Sequence, residues 1–287
     1  MGIRDVVARI FEEISEAVFP SNIYCIKCGS LIDRSRIYAL CDQCVREMHW
    51  ITGGTCDCCG KALPDTYRGV GPDGRRLCYD CMMRDHSFTK GWSCLSYGLH
   101  ERELMMDIKY NGKGYIASKM GDVMFDRMET LIDAAREGDS SAFPSIDVII
   151  PVPVSGKRMV KRGYNQSELM ARQFLRRWKQ HLHNSSTGDA PGISAPRLEP
   201  HVLVRQKATV MLRSLNPEER RLALHDAFAV NPDLRGRIGG KNVLLIDDIY
   251  TTGATADACS KVLVEEGAAA VYLLTLCSGG NRRPKEE

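Results

Sequence analysis

An α/β fold with a parallel sheet, preceded by a small cysteine-rich domain, is what three features of this 287-residue chain predict. The first is Val243 to Ile246, a run of branched apolar residues with Gly240 before it and polar residues after it. Such a run is too short for a helix and has the pattern of a strand buried on both faces of a parallel sheet. The second is the stretch directly after that run: Asp247 and Asp248, then Ile249 and Tyr250, then the small turn Thr251-Thr252-Gly253-Ala254-Thr255. A helical pattern of Ala256, Ala258, Val262 and Leu263 comes next and stops at Gly267. The third is that nine of the twelve cysteines lie between Cys25 and Cys81, eight of them paired as C-x-x-C.

A strand, an acidic pair, a tight loop and a helix start together suit a phosphorylated sugar. The N–H groups at the start of a helix have no partner within it, and the dipole's positive end points at the same place. Thr251, Thr252, Gly253, Ala254 and Thr255 are therefore the candidate phosphate binders. Asp247 and Asp248 can accept hydrogen bonds from a ribose's vicinal hydroxyls or hold the water shell of Mg²⁺.

The cysteines form two sets. Cys25, Cys28, Cys41 and Cys44 make the first, and Cys56, Cys59, Cys78 and Cys81 the second, with Gly29 and Gly60 after the leading pairs. Each C-x-x-C turns back so that two thiolates meet one ion, and two such knuckles give a tetrahedral sulfur site suited to structural Zn²⁺. Two zinc ions are thus expected, supplying much of the folding energy of a region poor in apolar residues. Cys58 is a surplus thiol able to compete as a ligand, and His86 reads as a surface histidine.

The length allows one large α/β domain plus a small one. A net charge of +3 does not by itself argue for nucleic acid, and no apolar run approaches the length of a membrane span. No secretory signal pattern opens the chain, so a soluble, cytoplasmic protein without membrane insertion is expected. Residues 1–20 form an amphipathic helix ending at Pro20, 21–90 a double zinc ribbon, and 91–287 the α/β domain, with a Ser/Gly/Pro-rich flexible insert at 183–200.

Within that domain, strands are expected near Trp92–Leu99, Ile146–Val154, Pro200–Gln206, Ala227–Val230 and Ala269–Cys277, and helices over Leu104–Tyr110 and Ile116–Ala135. After Pro151-Val152-Pro153-Val154 comes a basic loop, then an amphipathic helix to about Lys179. A basic loop at the carboxyl end of a strand is where α/β folds place an anion site. Lys157, Arg158 and Arg162 are the candidates for pyrophosphate, whereas Arg172, Arg176 and Arg177 read as the helix's solvated face.

VLLIDDIYTTGAT resembles the signature of the type I phosphoribosyltransferases, which bind 5-phosphoribosyl-1-diphosphate (PRPP). The whole chain resembles the ComF family, which joins a zinc ribbon to a type I phosphoribosyltransferase-like domain. Phe19-Pro20, the cysteine pairs, Leu104 to Tyr110, PVPVSGKRMVKRGYNQ at 151–166 and the segment Arg220 to Phe228 carry the likeness. Leu215, Arg220 and Phe228 fit the family pattern, while Leu212 and Ala223 stand where the family has Gln and Asn. The resemblance implies binding of PRPP with Mg²⁺ and transfer of its phosphoribosyl group to an acceptor, Lys207 to Arg221 folding down as a lid. It also implies a link to DNA uptake. A non-catalytic competence factor binding single-stranded DNA or uptake machinery, and a PRPP-sensing regulator, are the readings beside transfer. The acceptor and the oligomeric state stay open.

Overall fold

A computed structural model of the chain describes residues 23–137, 143–184, 194–206, 224 and 226–280. The expected N-terminal helix, the lid and the positions Leu212 and Ala223 lie outside these residues, as does half of the insert. By its contacts the chain divides into Met1–Met48 and His49–Glu287. The division falls inside the stretch expected as one double ribbon, because the second cysteine set belongs with the sheet.

In the first unit, the Cys25–Cys28 knuckle is closed by Cys25 N donating to Ser30 O at 2.8 Å and Gly29 N to Cys25 O at 2.9 Å. Cys41 then caps a short helix, α1 (Asp42–Glu47). The second unit repeats the device. Cys56 N donates to Lys61 O at 2.8 Å and Gly60 N to Cys56 O at 2.9 Å, and Cys78 stands at the start of α2 (Tyr79–Met83) without a capping bond from its side chain.

The rest of the second unit runs β1 (Lys90–Ser96), α3 (Leu99–Tyr110), α4 (Gly114–Arg136), β2 (Val148–Pro151), α5 (Gly156–Arg162) and α6 (Gln166–Asn184). It continues with β3 (Arg197–Leu198), β4 (Leu203–Arg205), β5 (Phe228–Val230), β6 (Asn242–Tyr250), α7 (Ala254–Glu265) and β7 (Ala270–Ser278). The main sheet has the order β1-β7-β6-β2-β3 and every pairing in it is parallel. The expected α/β class with a parallel, phosphoribosyltransferase-like sheet is therefore the one observed. β4 and β5 form a separate antiparallel pair.

Alternation along the strands sorts the core. Val148 and Ile150, Val243 and Leu245, and Val271 and Leu273 share one apolar cluster with α7, β4–β5 and the second cysteine set. Side chains one position along point to the other face, where α4 and α6 pack on each other and on the sheet. The second ribbon enters this core through Cys56, Cys59, Leu63, Leu77 and Phe88. Gly60 is where the two meet. It has φ +73°, and a Cβ there would stand 2.5 Å from Gly91 O and 2.6 Å from Trp92 Cα. Gly60→Ala should therefore cost more than the about 1–2 kcal/mol of a left-handed backbone alone, read as a lower urea midpoint.

Several elements depart from the sequence expectations. α3 begins five residues before Leu104, because the buried Glu101 carboxylate accepts from Gly98 N at 2.9 Å and His49 N at 2.7 Å. α6 continues past Lys179 to Asn184, held by His181 Nε2 at 2.6 Å from Asp133. The basic stretch after β2 is a short helix, α5, ended by Gly163 at φ +83°. Within the expected insert, Asn184 is still helical, and Arg197–Leu198 pairs with Val148–Ile149 as an edge strand. The ladder from β2 stops at Pro151 as its proline predicts.

Candidate functional site

The carboxyl ends of β6 and β2 open on a cavity of about 370 Å³, where parallel sheets carry their ligands. β6 carries Asp247 and Asp248 near its carboxyl end, Tyr250 turns back into the core, and Thr251-Thr252-Gly253 lead into α7. Gly253 takes φ +81°, and a Cβ on it would lie 2.7 Å from Tyr250 Oη. The turn thus needs glycine both for its conformation and for its space. Asp257 N donates to Gly253 O at 2.8 Å, closing the first turn, and the N–H groups before it have no partner within the helix.

The two acids share the cavity but have different partners. Asp248, 5% exposed, accepts from Lys109 Nζ at 2.9 Å and Gln166 Nε2 at 2.6 Å. Asp247 accepts from its neighbour's backbone N–H at 2.8 Å and Ser167 Oγ at 3.2 Å. Burial, and then the charge of Asp248, push the Asp247 carboxyl up to about 7. Its proton is held more tightly folded than unfolded, so the stability it contributes is present below pH 3.8 and lost as pH rises through about 7. Urea unfolding at a series of pH values should show this limb in the parent and a flatter one in Asp247→Asn.

All seven residues expected at the acid pair and loop line the cavity: Asp247, Asp248, Thr251, Thr252, Gly253, Ala254 and Thr255. Arg158 and Arg162 line it as well, but Lys157 is exposed and outside the lining. Arg162 also braces the wall, Nε donating to Lys109 O at 3.0 Å and Nη1 to Gln166 Oε1.

Sequence reasoning gives no role to Lys109, Gln166, Ser167 or Arg205. Lys109 and Arg205 are isolated cations at the ends of α3 and β4, and no spacing marks them as partners of β6. Gln166 closes the GYNQ run without a chemistry of its own to mark it. Arg205 stacks over Phe228 at 5.2 Å and lines the cavity. Burial lowers the pKa of both Arg162 and Arg205 from the ordinary arginine value. They are cations held in a partly dry wall.

The cysteine sets meet as expected. In each, the four sulfurs lie within 4.8 Å of one another, and the Cys28–Cys41 and Cys59–Cys78 separations are both 3.7 Å. A tetrahedron with Zn–S near 2.3 Å has an edge of about 3.8 Å, so both sets fit a structural zinc. Amide donors to sulfur support the ligands, Cys41 N to Cys25 Sγ at 3.4 Å and Cys78 N to Cys56 Sγ at 3.2 Å. All four sulfurs of the second set are on buried residues, whereas Cys28 is exposed.

His86 is not the surface histidine its position suggested. Its side chain is 1% exposed, because Phe88 stacks on it at 4.8 Å and Asp257 of α7 holds its Nδ1 at 3.0 Å. Among the described residues no helix is long and apolar enough to cross a membrane.

The fold and the two cysteine sets define a zinc-ribbon protein with a phosphoribosyltransferase-like α/β domain. The double zinc ribbon domain model matches residues 14–82. The chain is 26% identical to the DNA utilization protein YhgH of Escherichia coli over 250 residues, 83% of this chain and 95% of that protein. It is 26% identical to competence protein F of Haemophilus influenzae over 233 residues, 79% of this chain and 91% of that one. Against competence protein ComFC of Bacillus subtilis it is 27% identical over 242 residues, 80% of each. These matches support the resemblance of the chain to the ComF family, with its zinc ribbon.

Proposed function

We propose that this cavity binds PRPP with Mg²⁺ and that the protein transfers the phosphoribosyl group to an acceptor. The observation that carries this reading is one cleft walled by a glycine loop at a helix start, a carboxylate pair and the cations Arg158 and Arg162. The 5′-phosphate sits on the amides of residues 251–255, where the Thr252 hydroxyl is buried without a partner. Asp247 and Asp248 take the ribose hydroxyls and the waters of Mg²⁺, and Arg158 and Arg162 the pyrophosphate.

An acceptor's lone pair attacks C1 as the C1–O bond to pyrophosphate breaks through an oxocarbenium-like state. The leaving group departs with its electron pair, neutralised by Mg²⁺ and the arginines. The protein's part is positioning and charge stabilisation. In titration calorimetry, PRPP with Mg²⁺ should bind the parent, and Asp247→Asn with Asp248→Asn should lose most of that binding. A parent that gives no heat overturns the proposal. A screen of nucleobases and amines for Mg²⁺-dependent pyrophosphate release separates transfer from PRPP sensing, which releases none.

A second reading is favoured by the names of the relatives, DNA utilization and competence proteins, and by the exposed cations Lys157, Arg158 and Lys161 on α5. A surface of this kind binds single-stranded DNA through phosphates, with affinity falling steeply as salt rises. Replacing these three residues by Ala should then weaken that binding. Unchanged binding of the variant counts against this face as the DNA surface.

A further inference from the structure

Beside the second cysteine set lies a cluster that shares only Cys81 with the four-thiolate site and lies outside the cavity lining. Cys58, Cys81 and His86 bring two sulfurs and a ring nitrogen within 4.8 Å of one another. His86 Nε2 is 3.3 Å from Cys81 Sγ, and its Nδ1 is 3.0 Å from each carboxylate oxygen of Asp257. A carboxylate takes an N–H, so the proton belongs on Nδ1 and the lone pair of Nε2 faces the sulfurs. This carboxylate clamp is the one that metal-ligating histidines use. Cys58 is fixed as well, since its carbonyl accepts from Gly91 N at 2.7 Å.

We propose that Cys58, Cys81 and His86 hold a third zinc ion, with the Cys81 thiolate bridging it to the ion of the four-cysteine site. The donors suit it, two thiolates and an imidazole being the soft set zinc takes. The charge also suits it. Four thiolates around one zinc leave two negative charges in a buried place, and a second dication arriving with the Cys58 thiolate leaves one. Three protein ligands keep the fourth position open for water or an outside thiol, and Cys58 is only half-buried. Through Asp257, in the first turn of α7, the ion ties the ribbon to the helix that begins at the phosphate loop.

The test is metal counting by native mass spectrometry on the full chain equilibrated with buffered free Zn²⁺. The parent should carry three ions, and Cys58→Ser and His86→Ala two each. Asp257→Asn should weaken the third ion about 10–100-fold. In Co²⁺-substituted protein, the third equivalent should add thiolate-to-cobalt absorption that Cys58→Ser removes. Two ions in the parent at saturating zinc overturn the proposal whether or not the variants fold. Three ions retained in both folded variants overturn it too, since the third ion then lies elsewhere.

Discussion

Replacing Cys59 by Ser should strip amide protection from β6 and β7, whereas Cys28→Ser should leave those strands protected. The two cysteines are equivalent in motif and opposite in surroundings. Cys59 shares an apolar core with Val243, Leu245, Val271 and Leu273, while Cys28 is exposed and belongs to the unit ending at Met48. A structural zinc supplies apparent binding energies of about 10–16 kcal/mol in small zinc domains. Losing even about 5 kcal/mol of that from the second unit would lower its melting temperature by roughly 10–20 °C. Lys61 adds to the cost. It is buried beside the site, with its Nζ 2.6 Å from Asp80 Oδ2 and 5.4 Å from the Tyr250 ring. Hydrogen exchange with mass readout locates the loss. Protection kept over 242–278 in Cys59→Ser would defeat the idea that the second ribbon supports the sheet through that shared core.

Lys109→Met is expected to destabilise the second unit by about 3 kcal/mol, the lower end for breaking a buried ion pair because the lysine opens on the cavity. The variant leaves the Asp248 carboxylate with Gln166 as its hydrogen-bond donor and, among the described residues, no ion-pair partner, since its ion pair at 2.9 Å is with Lys109. Most of the loss is the cost of an uncompensated charge, so adding Asp248→Asn should recover much of it. Denaturant unfolding of the two single variants and the double variant reads the coupling directly. Strictly additive losses would mean that the pair contributes nothing as a pair.

The acid pair, the loop and the zinc sets are legible in the sequence because each is local. Thirteen residues from Val243 to Thr255 contain the strand, the carboxylates and the helix start, and each C-x-x-C turns on its own hydrogen bonds. His86 reads wrongly for the opposite reason: besides Phe88, its partner is Asp257, 171 positions away. Lys157 groups with Arg158 and Arg162 by adjacency, but a helical turn separates what a run of sequence joins, and only the latter two reach the cavity. The length of α6 exceeds its sequence pattern because His181 makes its contact with a residue of α4.

The sequence by itself determined the class of fold, the two four-cysteine sets and the run of acids and loop residues from Asp247 to Thr255, since period-two burial, knuckle spacing and helix-start chemistry act over a few residues. Only the tertiary structure decided which side chains meet those acids and which ribbon shares the core of the sheet. Lys109, Gln166 and Ser167 reach Asp247 and Asp248 from helices 80 or more positions away. Parallel strands need long crossovers to become neighbours, so the partners of a β-strand's end are chosen by packing and leave no mark on the spacing of the residues.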